Sequence, residues 1–375
     1  MKRYIQDQIV KDLRKKMVII TGPRQVGKTY LAKEVAKEFR QSQYLNYDND
    51  NDRRIIQQRS WRPDAGILVF DEIHKMKNWK VFLKGTFDSR AEGQAILVTG
   101  SSRLETYRQS GESLAGRYLH LRLHPLSVKE LVDSKNPFET VEKLNRLGGF
   151  PEPFLSDSEE EASRWRNQYY TDLIREDILE FGKIHEIKAM RYLVELLRHR
   201  IGSPVSYTSL ARDLQVSPNT VKKYMSVLDS LYILFLVRPF HKNITRSIMR
   251  EPKVYFYDSG FLKGDEGVRL ENTCAVCLIK HAQYLCDARG KDVEVQYIRT
   301  RDGKEIDFAI VTDGSPELFI EVKVSDRKPA KSLTYLGEHF PQSKAIQLVH
   351  HLHQEEHQAG VDILRCGDWL AGLQA

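Results

Sequence analysis

The sequence lacks a long apolar run. No stretch nears the ~20 residues that a membrane-spanning helix needs, and the opening Met1-Lys2-Arg3-Tyr4-Ile5-Gln6-Asp7 carries no apolar signal core. Cysteine is scarce, with four in 375 residues at uneven spacing. That gives no disulfide framework and agrees with a reducing compartment. Long repeats and low-complexity tracts are missing too, which excludes repeat architectures. A cytoplasmic protein without a membrane partner is the expectation.

A chain of 375 residues is long for one core and suggests two or three domains. Hydrophobic residues make up 41% and charged residues 29%, as in globular proteins. The net charge is +7 and the isoelectric point about 9.0. Such a balance permits nucleic-acid binding, and a solvated basic surface accounts for it equally well. The acidic stretch at residues 156–161 reads as a connector or a helix start.

Residues 22–29 read Gly22-Pro23-Arg24-Gln25-Val26-Gly27-Lys28-Thr29, followed by Tyr30. Two glycines four residues apart with Lys-Thr after the second form the phosphate-loop pattern. The glycines let backbone N–H groups curl around a phosphate. Lys28 brings a point charge to the β- and γ-phosphates, and Thr29 a hydroxyl for Mg²⁺. The apolar run 17–20 predicts a buried strand before the loop, and Leu31, Val35 and Phe39 predict a helix after it. The helix aims its positive end at the ligand. ATP and Mg²⁺ are the expected cofactors, with Gly22 through Tyr30 as the nucleotide-binding segment.

Further strands are predicted at 44–47, 67–70 and 95–99. The run Ile67-Leu68-Val69-Phe70 ends in Asp71-Glu72. Asp71 can hold Mg²⁺ through water, and Glu72 can orient and deprotonate the attacking water. Ser101, after the fourth strand, is the candidate γ-phosphate sensor, with a plain turn as the alternative. Arg117 precedes a fifth strand at 118–123. It reads either as an arginine finger, for its own site or a neighbour's, or as a surface ion pair.

These motifs resemble those of bacterial and archaeal AAA-type ATPases with a C-terminal restriction-endonuclease-like domain, a domain of unknown function (DUF4143). The resemblance rests on GPRQVGKT, ILVFDEIHK, VTGSSR, SLAGR, HPLSVKE at 124–130, GGFPEP at 148–153, KVYFYDSGFL at 253–262, EIDF at 305–308 and FIEVKVS at 319–325. They occur in order along nearly the whole chain. The resemblance implies an α/β fold: a P-loop NTPase parallel sheet, in which one inserted strand separates the Asp-Glu strand from the phosphate-loop strand. A helical lid, a winged helix-turn-helix and the nuclease-like α/β domain follow. The expected divisions are 1–135, 136–190, 191–245 and 246–375. His74 departs from the pattern, standing where a polar amide is expected.

In the middle of the chain, Gly148-Gly149-Phe150-Pro151 is a breaker cluster and a hinge candidate. A helix is predicted over 164–183, with Trp165, Tyr169 and Leu173 on its apolar stripe. Arg175 and Asp177 on it either contact phosphates or form surface pairs. Tyr207–Leu214 and 219–228 then read as a helix-turn-helix, with Ser217 capping the second helix and Pro218 at its first position. Val221, Tyr224 and Leu228 face inward; Asn219, Thr220, Lys222 and Lys223 are free to contact DNA. Residues 232–237 read as a wing strand. A purely structural role for this module stays open.

Near the C-terminus, strands are predicted at 254–257, 293–299, 304–310 and 317–324, with a helix starting near Glu271. Asp307 and Glu321-x-Lys323 give the core of the PD-(D/E)xK nuclease pattern. Strand alternation places Glu321 and Lys323 on one face. Asp307 and Glu321, with Glu271 as accessory acid, can bind Mg²⁺, while Lys323 positions the nucleophile or neutralises charge. The alternative is a degenerate fold that only binds DNA or protein. Cys274, Cys277, His281 and Cys286 fall on the predicted helix, which suits a zinc knuckle badly. His350, His351, His353 and His357 read as an exposed polar stretch.

The reading is therefore an additional-strand, catalytic-glutamate ATPase whose nucleotide state gates a DNA-contacting winged helix and a nuclease-like domain, with a homo-oligomer open. Two rivals stand beside it: a signalling switch that oligomerises on ATP, and a DNA-binding regulator timed by its ATPase.

Overall fold

The structure is a computed structural model that describes residues 1–100, 114–132, 136–179, 184–241, 251–300 and 303–375, with the backbone alone for 175–179 and 184–186. Ser101 and the side chains of Arg175 and Asp177 lie outside the described residues. The chain divides into two compact units, one of residues 1–124 with 287–289, the other of 125–286 with 290–375.

The first unit is built on a five-stranded parallel sheet of β1 (Met17–Thr21), β2 (Ser42–Asn46), β3 (Ile67–Asp71), β4 (Ala95–Thr99) and β5 (Tyr118–Arg122). The strand order is β2-β3-β4-β1-β5. The Asp-Glu strand β3 is thus separated from the phosphate-loop strand β1 by β4, as the resemblance implies. β1, β3 and β4 are buried along their whole length, which explains their unbroken apolar runs. Around them lie α1 (Gln6–Leu13), α2 (Lys28–Ala36), α3 (Asp50–Gln58) and α4 (Trp79–Asp88). Leu31, Ala32 and Val35 of α2 are fully buried. Phe70, Phe82 and Trp61 meet edge to face in the core, with ring centroids 5.5–6.1 Å apart. Each such ring stabilises the fold by roughly 2–3 kcal/mol through burial.

The second unit opens with helices α5 (Val128–Leu131), α6 (Pro137–Leu147), α7 (Pro151–Ser156), α8 (Glu159–Leu179), α9 (Ile184–Arg198), α10 (Tyr207–Leu214) and α11 (Pro218–Ser230). In α8, Trp165 stacks on Tyr169 at 4.6 Å, and Tyr169 and Leu173 are buried, the stripe the spacing predicts. The breaker at Gly148 is a docking point. Arg166 of α8 donates to the Asp258 carboxylate at 2.8 Å and to the Leu147 carbonyl. Asp258 in turn accepts from the Gly260 N–H at 3.1 Å. A Cβ on Gly148 would fall 1.8 Å from Asp258 Oδ1, and one on Gly260 1.9 Å from Arg166 Nη2. Both glycines are there because this buried ion pair fills the space a side chain would need.

The second sheet has eight strands in the order β12-β13-β11-β10-β9-β8-β6-β7. They are β6 (Leu234–Pro239), β7 (Lys253–Phe256), β8 (Val293–Arg299), β9 (Glu305–Thr312), β10 (Ser315–Lys323), β11 (Lys344–Val349), β12 (Glu356–Gln358) and β13 (Val361–Arg365). Helices α12 (Glu266–Arg289), α13 (Lys331–His339) and α14 (Cys366–Ala371) accompany them. β6, the expected wing strand, pairs antiparallel with β7 and parallel with β8. The expected division at residue 245 therefore falls between two paired strands, and the strand after the helix-turn-helix is continuous with the C-terminal sheet. Among the described residues, no helix is long and apolar enough to cross a membrane.

Candidate functional sites: a phosphate loop and an acidic strand pair

The loop between β1 and α2 has the backbone that phosphate binding requires. Gly22 and Gly27 have φ of 146° and 98°, and Gln25 has φ of 58°. A Cβ on Gly22 would lie 2.2 Å from the Leu123 carbonyl oxygen, so position 22 tolerates only glycine. Lys28 is buried, and its ammonium donates to the loop's own carbonyls at Gly22 (3.0 Å) and Pro23 (2.5 Å). Burial lowers its pKa to about 8, against the opposing pull of Glu72 and Asp71. Pro23 and Val26 are buried, Arg24 is half-buried, and Gln25, Thr29 and Tyr30 are exposed.

Asp71 sits at the C-terminal end of β3, where register places it opposite Asn46 on one side and Thr99 on the other. Its carboxylate accepts from Thr29 Oγ1 (2.8 Å), Tyr44 OH (2.5 Å), Thr99 Oγ1 (2.6 Å) and the Glu72 N–H (3.1 Å). Thr29 and Asp71 are thus held together by a direct hydrogen bond. Glu72 adopts a left-handed backbone at φ 55°. Burial raises its pKa; Lys75 opposes this and Asp71 adds to it. A carboxylate with raised proton affinity beside the phosphate loop suits general-base work. His74 is buried, with Nε2 3.6 Å from Glu72 Oε2.

Three contributors escape a reading of local motifs. Tyr44 and Thr99 reach Asp71 from neighbouring strands. Arg3 is buried and donates to the Val26 carbonyl at 2.8 Å and to the His124 carbonyl at 2.5 Å, bracing the loop from the N-terminal segment. A polar side chain at the end of β4 was a usable signal for Thr99; nothing local marks Arg3.

Of the two readings of Arg117, the structure shows the ion pair. Its guanidinium makes a two-point pair with Asp88, at 2.8 and 2.9 Å. Its carbonyl accepts from the Met17 N–H, at the beginning of β1. The phosphate loop follows the other end of that strand, five residues on, roughly 15 Å away at the usual rise per residue. Arg117 therefore does not serve the nucleotide site of its own chain.

On α11 the caps are as expected. The Ser217 side chain accepts from the Thr220 N–H at 3.1 Å, Pro218 opens the helix, and Val221, Tyr224 and Leu228 are buried. Asn219, Lys222 and Lys223 are exposed and Thr220 is half-buried. Of the weaker clusters, Cys274 and Cys277 are buried within α12, where they serve packing.

In the second sheet the antiparallel register of β9 and β10 pairs Ile320 with Phe308, and the next step sets Glu321 beside Asp307. The Val322 N–H donates to Asp307 Oδ2 at 2.9 Å, and Lys323 donates to Glu321 Oε1 at 2.7 Å. Glu271 of α12 accepts from Tyr255 OH at 2.7 Å. The sequence reading missed Lys253, which opens β7 and is 1% exposed. Its ammonium lies 2.7 Å from Glu305, 3.6 Å from Asp307 and 3.7 Å from Glu271. A lysine leading an otherwise apolar buried strand was the signal. Burial and the Asp307 charge raise the pKa of both Glu271 and Glu321. Glu321 Oε2 is buried without a hydrogen-bond partner. Four carboxylates, Glu271, Glu305, Asp307 and Glu321, thus face the ammonium groups of Lys253 and Lys323, with one buried Glu321 oxygen left over.

The first unit thus defines a P-loop NTPase fold. Residues 14–132 match the family model of an AAA domain, 138–267 a domain of unknown function (DUF8612) and 266–369 a domain of unknown function (DUF4143). The chain carries both the AAA domain and the DUF4143 domain that its motifs resemble. It is 28% identical to an uncharacterised protein of Mycobacterium tuberculosis over 66% of this chain and 56% of that protein. It spans little more than half the length of that relative. An uncharacterised protein of Haemophilus influenzae is 22% identical over 94% of this chain and 93% of its own. Among solved structures, the Walker-type ATPase PABY2304 of Pyrococcus abyssi covers 72% of this chain and 94% of its own, at 16% identity and a TM-score of 0.43. A RuvB structure from Thermotoga maritima covers 62% and 88%, at 19% identity and a TM-score of 0.31. TM-scores below 0.5 leave the chemistry to be read from this chain's own residues.

Proposed function

We propose that the chain binds ATP with Mg²⁺ and hydrolyses it to ADP and phosphate. The observation that carries this is the joint placement of Lys28, Thr29, Asp71 and Glu72 at one end of the parallel sheet. The loop amides and Lys28 cradle the phosphates, with Lys28 exchanging the loop carbonyls for phosphate oxygens. Thr29 and Asp71 would hold Mg²⁺, which neutralises charge on the β- and γ-phosphates. Glu72 takes the proton of the attacking water. Lys28→Ala abolishes nucleotide binding, and Glu72→Gln keeps binding but traps ATP. Normal hydrolysis in both variants overturns the assignment.

The nucleotide state, in this reading, controls DNA contact by Asn219, Thr220, Lys222 and Lys223 on α11, and access to the acidic strand pair. There, Asp307, Glu321 and Glu271 would hold a divalent cation that activates water against a phosphodiester, and Lys323 neutralises developing charge. The unpartnered Glu321 oxygen supports this. The second reading is an ATP-driven switch, alone or as a homo-oligomer, whose C-terminal domain only binds DNA or protein. Lys323→Ala separates them: metal-dependent DNA cleavage is lost with ATPase intact under the first, and there is no cleavage to lose under the second.

A further inference from the structure

The histidine cluster at the end of β11 looks from sequence like an exposed polar stretch, but His350 is 3% exposed. Neither of its ring nitrogens has a hydrogen-bond partner. A neutral imidazole carries one donor and one acceptor, so burying both unmatched is costly unless something else is bound. His350 and His351 lie in a turn just past β11, so both rings can reach one side of the chain. The backbone fixes them there: the His350 N–H donates to the Lys323 carbonyl at 3.0 Å and the His351 N–H to the Val324 carbonyl at 2.8 Å. Phe138 stacks on the His350 ring, with centroids 4.4 Å apart and planes at 9°. Glu266, the first residue of α12, accepts from or pairs with His351 Nε2 at 2.8 Å. One ligand atom from each of Glu266, His350 and His351 lies within 4.8 Å of the other two.

We propose that Glu266, His350 and His351 bind one transition-metal ion of the zinc class. Two imidazoles and one carboxylate select such an ion over Mg²⁺ or Ca²⁺, which prefer all-oxygen sets. Three protein ligands are the number found where zinc keeps a fourth position for water or a ligand. Both histidines line a cavity of about 640 Å³ that also reaches Arg365 and Asp368, which gives that fourth ligand room. Nothing in this site draws on the acidic strand pair or the phosphate loop for its ligands.

The test uses the full chain without a polyhistidine tag, stripped by chelator and titrated with Co²⁺ under visible absorption, then with Zn²⁺. With millimolar Mg²⁺ present to fill the all-oxygen acidic cluster, the expected result is strong bands of tetrahedral Co²⁺ that saturate at one equivalent per chain and are bleached by Zn²⁺. His350→Ala and the exposed His351→Ala each weaken binding at least about a hundredfold, since even partners outside the ligand shell cost ~10–100-fold. His357→Ala leaves the spectrum unchanged. Circular dichroism confirms that the variants fold. No tetrahedral spectrum from the folded chain, or an unchanged spectrum in folded His351→Ala, overturns the proposal.

Discussion

Replacing Lys253 with methionine keeps the stem and removes the charge. The side chain is 1% exposed and faces Glu305, Asp307 and Glu271 at 2.7, 3.6 and 3.7 Å. At an effective dielectric of 20, each of these pairs attracts by about 4–6 kcal/mol before desolvation is subtracted. Burial opposes the charged lysine, but Asp307, Glu271 and Glu305 outweigh it and its pKa is raised. Breaking a buried pair from one side costs about 3–5 kcal/mol. That loss depends on pH, and its sign is fixed. Glu271 and Glu321 already have raised pKa values, and losing Lys253 raises that of Glu271 further. An acid whose folded pKa lies above its unfolded one destabilises the fold as pH rises through the interval. Lys253→Met is therefore milder near pH 5, where Glu271 and Glu321 hold protons, than near pH 8.

Native-state hydrogen exchange on peptides spanning β9 and β10 reads the local opening, which avoids assuming that both units unfold together. The expected loss of protection at pH 8 is roughly a hundredfold or more, equivalent to about 3 kcal/mol. It shrinks severalfold at pH 5, and millimolar Mg²⁺ or Mn²⁺ restores part of it at pH 8. An equal loss at both pH values, or none at pH 8, refutes the electrostatic account of this cluster.

Three other outcomes follow from the same geometry. Arg3→Ala removes the brace on the Val26 and His124 carbonyls; nucleotide affinity by calorimetry falls about tenfold while the Asp71 contacts persist, and unchanged affinity removes Arg3 from the site. Because the Lys28 pKa is about 8, triphosphate binding at pH 8 takes up about half a proton and at pH 7 about a tenth; calorimetry in buffers of different ionisation enthalpy measures this, and equal uptake at both pH values contradicts it. Exchanging both Lys222 and Lys223 for alanine lowers the slope of log affinity for DNA against log salt by about two; an unchanged slope takes α11 out of the DNA contact.

What the sequence made legible was local. The phosphate loop, the Asp71-Glu72 step and the Ser217-Pro218 cap are each set by neighbours a few residues apart, and they fold as their spacing predicts. What it hid travels through strand register. Tyr44 and Thr99 reach Asp71 only because β2, β3 and β4 align 46 with 71 and 71 with 99. Arg3 meets His124 across 121 residues. For Arg117 the sequence left two readings open, and its place in the sheet decides between them. Parallel strands deliver their phosphate ligands at their C-terminal ends, and Arg117 stands before β5, a position that alone argued for the pair with Asp88.

The two buried lysines show why one charge type does opposite work in the two units. Lys28 rests on the carbonyls of Gly22 and Pro23, neutral partners that phosphate oxygens outbid, since hydrogen bonds between charged groups are about twice as strong. Burial outweighs the pull of Glu72 and Asp71 on it, and an incoming triphosphate would add counter-charge. Lys253 already has three carboxylates. An anion gains nothing by approaching it, whereas a divalent cation competes with it for Asp307 and Glu271. Under the proposed function, the phosphate loop would take an anionic ligand and the strand pair a cation, with Lys253 holding the carboxylates together in the cation's absence.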